Sequence, residues 1–239
     1  MIELETRRFA GIETLHATPA GCLSQPLPTV LFYHGFTSSK LVYSYFAVAL
    51  AQAGFRVVMP DARDHGARFD GDGARRLTQF WQILHTNFLE FASLQAALYA
   101  EGLIADERLA VGGASMGGMT ALGIMTRHPE VKCMASLMGS GYFTTLADTL
   151  FPPEDAAAKA PLVDWEVTDK LTRLADRPLL LWHGEADDVV PAVETLRLQQ
   201  ALAQANLDKQ LTFLLEAGVK HRITPTALDA ATHFFSQHL

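Results

Sequence analysis

The sequence predicts an α/β fold in which a mostly parallel, eight-stranded sheet is covered by helices on both faces. Short apolar runs of strand length alternate along the chain with longer segments of helical periodicity. Hydrophobic residues make up 49% of the 239 residues, which is enough to bury a large core. Four short loops, "HGF", "GASMGG", "HGEADD" and "GVKH", each follow an apolar run. We therefore expect the functional loops at the carboxyl ends of the strands.

The chain opens with an edge hairpin of two strands, "IELETRRFAGIETLHATPAG", in which polar and apolar residues alternate. Continuous apolar runs then predict strands buried on both faces. Six further strands are predicted within residues 28–36, 55–66, 108–115, 131–141, 177–191 and 210–221. Some of these ranges include the loop that follows the strand. Helices are predicted at 44–53, 77–100, 116–127, 192–205 and 224–239. Gly54 supplies a C-terminal cap for the first helix, and Pro129 stops the third.

One segment breaks this alternation. Residues 141–169, "GYFTTLADTLFPPEDAAAKAPLVDWEVTD", contain a Pro-Pro pair and an Ala-rich acidic piece with little periodicity. A connection of this length is usually functional. We expect a small cap with one or two short helices inside a single domain spanning 1–239, and not a second domain.

Charge and composition exclude several classes of function. The net charge of −7 makes nucleic acid an improbable partner, because phosphate binding needs a basic face. No stretch approaches the roughly 20 apolar residues of a membrane span, and the N-terminus lacks an apolar run of signal-peptide length. The only cysteines, Cys22 and Cys133, do not form a disulfide framework. We expect a cytoplasmic protein that does not bind membranes.

The stretch "AVGGASMGGMT" places Ser115 between a predicted strand and a predicted helix. A sharp strand-turn-helix elbow exposes a nucleophilic serine in a strained conformation, and the positions two residues before and after it must be small. Gly113 and Gly117 occupy those positions, so "GASMG" fits a Gly-x-Ser-x-Gly elbow. The alternative is a glycine-rich turn with a bystander serine.

A serine nucleophile needs a base and a group that orients the base. In this arrangement the chain order is Ser, acid, His. "HGEADD" supplies Asp187 as our choice of acid, with Asp188 as the competitor, and "GVKH" supplies His221 as the base. His233, inside the predicted final helix, is the weaker candidate for the base, and His183 is expected to make structural hydrogen bonds.

The oxyanion formed during acyl transfer needs two donors. One is expected from the backbone N–H after the nucleophile, Met116, and the other from the loop after the "VLFYHGF" strand, Phe36. The side chains of both residues are expected to help line the acyl pocket, with a position in the core as the alternative. Trp81, Phe88 and Trp165 either wall that pocket or belong to the core, and core is the commoner role.

With these residues in place, the chain resembles the α/β-hydrolase family, in its dienelactone-hydrolase and serine-peptidase-like branch. "HGFTSSK", "GFRVVMPDARDHGAR", "GGASMGG", "HGEADDVVP" and "GVKH" carry the resemblance from end to end. It implies hydrolysis of short-chain acyl esters through Ser115, Asp187 and His221, with a small-molecule ester as substrate and no cofactor or metal. The dienelactone hydrolases proper use a cysteine nucleophile, whereas this elbow carries serine.

The "DARDHGAR" loop departs from the commoner Arg-Gly-x-Gly run. We interpret Asp61, Arg63 and Arg68 as a structural loop at the rim of the site, with substrate binding by His65 or Arg68 as the alternative.

Three rival functions use the same scaffold. An aminopeptidase-like enzyme or a thioesterase or acyltransferase would use the same triad, and a non-catalytic binding protein would not react at Ser115. The oligomeric state is not visible in the sequence.

Overall fold

An eight-stranded sheet organises the computed structural model, which describes residues 1–239. The strands are β1 (Ile2–Phe9), β2 (Ile12–Pro19), β3 (Leu27–Tyr33), β4 (Arg56–Pro60), β5 (Ile104–Ala114), β6 (Met134–Leu137), β7 (Leu179–Gly184) and β8 (Leu211–Glu216). Their order across the sheet is β1-β2-β4-β3-β5-β6-β7-β8. The β1–β2 and β2–β4 pairs are antiparallel and all others are parallel. The predicted fold class, including the edge hairpin, is confirmed.

Eight helices connect and cover the strands. They are α1 (Ser44–Gln52), α2 (Gly73–Thr78), α3 (Phe80–Ala100), α4 (Met116–Arg127), α5 (Phe143–Leu146), α6 (Leu171–Ala175), α7 (Val193–Gln204) and α8 (Pro225–His238). Local chemistry fixes their ends: in α8, for example, the Thr224 side chain accepts a hydrogen bond from Ala227 N–H and Pro225 fills the first helical position. None of the helices is both long and apolar enough to cross a bilayer.

The core lies in two layers, one on each face of the sheet. Successive side chains of a strand point to opposite faces, so Val30 and Phe32 of β3 pack with α1 and α8, whereas Leu31 and Tyr33 pack with α3 and α4. From Thr29 to Tyr33, β3 is buried on both faces. The central strands therefore form a rigid platform, and the loops at their carboxyl ends are positioned by it.

The prediction of one helix over 77–100 is wrong at its start. The helix is interrupted at Gln79, which leaves Leu77 in α2 and starts α3 at Phe80. The interruption lets Phe80 and Trp81 turn inward, where they are 2% and 1% exposed, while Leu77 remains 46% exposed. The free energy gained by burying two aromatic rings exceeds the cost of interrupting the helix.

The segment 141–169 contains α5 and a 3₁₀ stretch, Ala156–Trp165, with Pro161 inside it. It is tied to the body of the protein by hydrogen bonds from the Trp81 indole N–H to the carbonyl oxygens of Leu150 and Phe151, each 3.1 Å. Val167 N–H also donates to Gly141 O at 3.1 Å and closes the base of the segment. The segment thus packs over α3 near the carboxyl edge of the sheet.

Candidate active site

Ser115 lies at a sharp turn between β5 and α4. Its backbone has φ 56° and ψ −120°, in the left-handed half of conformational space that a non-glycine residue rarely adopts. A Cβ added to Gly117 would lie 2.0 Å from Tyr33 O, and one added to Gly113 would lie 2.4 Å from the Gly117 carbonyl. Only glycine therefore fits on either side of the turn, and Ser115 N–H is held by Leu137 O at 2.8 Å.

His221 stands between Ser115 and Asp187. Its Nε2 lies 2.9 Å from Ser115 Oγ, and its Nδ1 lies 2.7 Å from Asp187 Oδ2. The loops that carry Asp187 and His221 are joined by a hydrogen bond from Ala186 N–H to Val219 O, 2.9 Å. The parallel pairing of β7 with β8 thus brings an acid and a histidine from separate loops to one serine.

The Asp187 side chain is fully buried and surrounded by donors. Burial alone would raise the pKa of its carboxyl. Hydrogen bonds from His183, from His221 and from the Val189 backbone N–H outweigh burial and hold that pKa well below its ordinary value. Asp187 is therefore an anion that can orient an imidazole and stabilise its protonated form. Asp188 instead points outward, where it pairs with Lys220 at 2.9 Å.

His183 makes the structural hydrogen bonds that the sequence led us to expect. Its Nδ1 lies 2.6 Å from Thr195 Oγ1 and its Nε2 lies 2.8 Å from Val190 O. The same Nε2 is 3.2 Å from Asp187 Oδ2, a contact that sequence reasoning did not identify. Because Nε2 faces two acceptors, it carries the hydrogen, and His183 helps to fix the orientation of the acid.

Two backbone N–H groups next to Ser115 are free of partners within the protein. Phe36 N–H lies in the loop after β3 and donates no hydrogen bond. Met116 begins α4, so its N–H has no carbonyl one turn earlier in the helix. The loop after β3 lies against the serine, since a Cβ built on Gly35 would be 3.5 Å from Ser115 Cβ. Neither expected oxyanion donor is thus engaged by a hydrogen bond within the protein.

A cavity of about 240 Å³ opens onto Ser115 and His221. Its other lining residues are Phe36, Thr37, Phe80, Leu150, Phe151, Val189 and Val190. The rings of Phe36, Phe80 and Phe151 pack on one another with centroids 4.8–5.1 Å apart. The cavity is therefore small, apolar and walled by aromatic rings.

The structure corrects one expectation about the cavity wall, and three aromatic residues have the commoner of their two expected roles. The Met116 side chain is fully buried in the core and does not line the cavity. Trp81, Phe88 and Trp165 are also core residues, of which Trp81 acts through its indole N–H on the segment that carries Phe151. Phe80 and Phe151, which do line the cavity, were missed.

In the loop after β4, Asp61 and Arg68 make structural contacts, in agreement with the interpretation of this loop as structural. Asp61 accepts hydrogen bonds from the backbone N–H groups of Lys40 and Ala67, both 2.8 Å, and pairs with the Lys40 ammonium. Arg68 forms a bidentate pair with Glu90 at 2.6 and 2.8 Å. His65 is buried and faces the loop after β3, so neither Arg68 nor His65 lines the cavity.

Other chemistries have little support among the side chains. No group of three or more His, Cys, Asp or Glu residues is arranged to hold a metal ion. Burial raises the pKa of the Cys133 thiol to about 12, so that sulfur stays protonated and unreactive.

A cavity of about 350 Å³ at the carboxyl-terminal end of α4 is larger than the one at Ser115. Its Arg177 guanidinium is occupied, because it donates to four carbonyl oxygens and to Asp176.

The strand order and the helices on both faces define an α/β-hydrolase. The chain belongs to the prolyl oligopeptidase family, whose sequence profile matches residues 42–239.

Comparisons with individual proteins agree with this class. The chain is 64% identical over 249 residues to esterase YjfP of Escherichia coli (strain K12), with 100% of both chains covered. Among solved structures, TT1662 from Thermus thermophilus aligns with a TM-score of 0.82 and 22% identity over 99% of this chain and 98% of that one. The acylaminoacyl peptidase of Pyrococcus horikoshii aligns with a TM-score of 0.77 and 18% identity, over 100% of this chain but 42% of that one. These two structural likenesses concern the fold.

Proposed function

We propose that this carboxylic ester hydrolase is a serine esterase that uses Ser115 as nucleophile, His221 as general base and acid, and Asp187 as the group that orients His221. One observation carries the proposal: the continuous chain of contacts from Asp187 Oδ2 to His221 Nδ1 and from His221 Nε2 to Ser115 Oγ. The high identity to esterase YjfP supports an ester as the substrate.

The reaction proceeds by acyl transfer in two steps. His221 takes the proton of Ser115 as Oγ attacks the ester carbonyl, and Asp187 stabilises the resulting imidazolium. The Phe36 and Met116 N–H groups donate to the oxyanion of the tetrahedral intermediate. His221 then protonates the departing alkoxide, which leaves an acyl group on Ser115. Water, activated by His221, attacks the acyl-enzyme and releases the carboxylic acid and the free serine.

The substrate is proposed to be a short-chain acyl ester. The cavity beside Ser115 holds about 240 Å³, below the range of about 300–1,000 Å³ that is common for sites of drug-sized ligands. Its walls are packed aromatic rings, which leave little room for a long chain. We expect turnover to fall for acyl chains longer than about eight carbons, a length that would fill a pocket of this size.

An aminopeptidase-like activity is less well supported by the cavity. Recognition of a free amine needs a carboxylate nearby, and no acidic side chain lines this cavity. The buried carboxylate of the 141–169 segment, Glu166, is already engaged by the hydroxyl and the backbone N–H of Thr144. Parallel assays of aminoacyl amides, thioesters and acyl esters separate these activities, and the ester is expected to be the preferred substrate.

Covalent labelling tests the assignment of the nucleophile. A fluorophosphonate reacts with an activated serine, so it should add one equivalent of label to the protein, and peptide mass mapping should place it on Ser115. Ser115→Ala should take no label at equal thermal stability. Absence of labelling in the wild type would favour a non-catalytic binding protein, and a label on another serine would contradict the assignment.

A further inference from the structure

His65 is a buried histidine that the proposed triad does not use. It follows β4 and has no exposed surface. Its Nδ1 lies 2.8 Å from Arg63 O, and its Nε2 lies 3.0 Å from the backbone nitrogen of Thr37. A carbonyl oxygen can only accept and a backbone N–H can only donate, so Nδ1 carries the hydrogen and Nε2 accepts. The two contacts therefore require one neutral tautomer.

The residue that His65 holds is strained and lies beside the oxyanion donor. Thr37 has φ 59°, a left-handed conformation that a β-branched residue rarely adopts without support. It directly follows Phe36, whose ring packs on His65 with centroids 5.1 Å apart. His65 thus contacts the ring of Phe36 on one side and the backbone N–H of Thr37 on the other.

We propose that His65 is a positioning residue, which sets the direction of the Phe36 N–H toward the oxyanion by accepting a hydrogen bond from Thr37 N–H. The inference rests on the proposed function, because it takes Phe36 N–H as an oxyanion donor. His65 does not touch the substrate; it acts through the turn at Phe36 and Thr37. Preorganised donors lower the barrier because they need not reorient as charge develops.

The surroundings of His65 favour the neutral form that this role needs. Burial lowers the pKa of His65, and the hydrogen bond to the Arg63 carbonyl opposes that effect. Of the nearby charged groups, Arg76 lowers it further, while Asp61 and Asp64 raise it, for a net lowering. The ring of His34, also buried, lies 5.3 Å away between centroids. Protonation would turn Nε2 into a donor facing another donor and break the contact with Thr37.

Three variants of His65 separate positioning from simple structural support. With p-nitrophenyl butyrate as substrate, His65→Ala should lower kcat by about a hundredfold, as loss of an oxyanion donor does, while KM changes less than about threefold. In His65→Gln the amide oxygen lies near the position of Nε2 and can accept the same hydrogen bond. Its kcat should therefore be at least about tenfold higher than that of His65→Ala. His65→Asn, whose oxygen is too short to reach Thr37, should not show this increase.

A second measurement reports on the oxyanion hole itself. The phosphoryl oxygen of a fluorophosphonate occupies that hole, so the inactivation rate constant should fall in the same order as kcat, with Gln above Asn and Ala. Arg63→Ala changes the same loop without removing the Nδ1 or Nε2 contacts of His65 and serves as the control, with kcat close to wild type. Melting temperatures are recorded for every variant.

The proposal is overturned if the Ala, Gln and Asn variants lose kcat equally and in step with their melting temperatures, or if KM alone rises. If Ser115→Ala keeps the turnover of the wild type, the proposed function is wrong, whatever the His65 variants do. A turnover that depends on Ser115 but is unaffected by His65 removes only this inference.

Discussion

At the scale of single residues, adjacent carboxylates with opposite surroundings give the sharpest test of the acid. Asp187 is buried against His183 and His221, and Asp188 is exposed beside Lys220. Asp187→Asn removes the anion that orients His221 and should lower kcat by about 10⁴-fold, as in other serine hydrolases. Asp188→Asn should change kcat by no more than about threefold, because an exposed pair contributes little. Steady-state kinetics on both variants, at matched melting temperature, would contradict the account if the two effects were equal.

The residues themselves carried most of the site prediction. Ser115, Asp187 and His221 could be proposed because each follows a strand and their order along the chain is that of the elbow fold. The contact of His183 with Asp187 could not, since its distance depends on how the loop after β7 folds back. Nor did any pattern link His65 to Thr37, because the two lie 28 positions apart in separate loops.

At the scale of elements, the junction of α3 with the 141–169 segment shapes the cavity. Trp81 donates its indole N–H to the carbonyl oxygens of Leu150 and Phe151 and holds this part of the wall. Phe151 has φ 45°, so the wall is held in a strained conformation. Sequence periodicity predicted the helix but not the break at Gln79. Directly after this break, Phe80 lines the cavity, whereas Trp81 does not. The break follows from tertiary packing, which local patterns do not encode.

Phe151→Ala tests whether this wall limits the acyl chain. Removal of the ring enlarges the cavity, so the ratio of kcat/KM for dodecanoyl to butyryl esters should rise by about tenfold, within the range expected for a few methylenes in an apolar pocket. Phe69→Ala is the matched control, because Phe69 is 39% exposed and does not line the cavity. An unchanged ratio in Phe151→Ala would show that another surface sets chain length.

At the scale of the whole molecule, buried histidines make folding stability depend on pH. His34 is 1% exposed, donates from Nδ1 to Gly35 O at 2.7 Å and accepts at Nε2 from Ala62 N–H at 3.0 Å. Burial lowers the pKa of His34 to about 4, and burial also lowers the pKa of His16 and of His65. In the unfolded chain a histidine has a pKa of about 6.5. The unfolded state therefore binds more protons between these two values, and stability is lost as the pH falls through that window.

His34→Gln tests this linkage. Each such histidine contributes a slope of up to about 1.4 kcal/mol per pH unit, so wild-type stability should fall between pH 7 and pH 5. The free energy of unfolding of the variant should be lower at pH 7 but should fall less over the same interval. His233→Gln replaces an exposed histidine and should keep the wild-type slope. Denaturant unfolding at several pH values measures the slopes, and identical slopes in all three proteins would contradict the assignment to His34.

Turnover of esters by this protein is proposed to depend on Ser115 at the elbow between β5 and α4. The most direct measurement is kcat/KM for p-nitrophenyl butyrate in wild type and in Ser115→Ala, with both proteins shown to be folded and of equal melting temperature. Ser115→Ala is expected to lose activity by a factor of about 10⁶. Retention of more than about 5% of wild-type turnover would contradict it, since loss of a true nucleophile leaves far less.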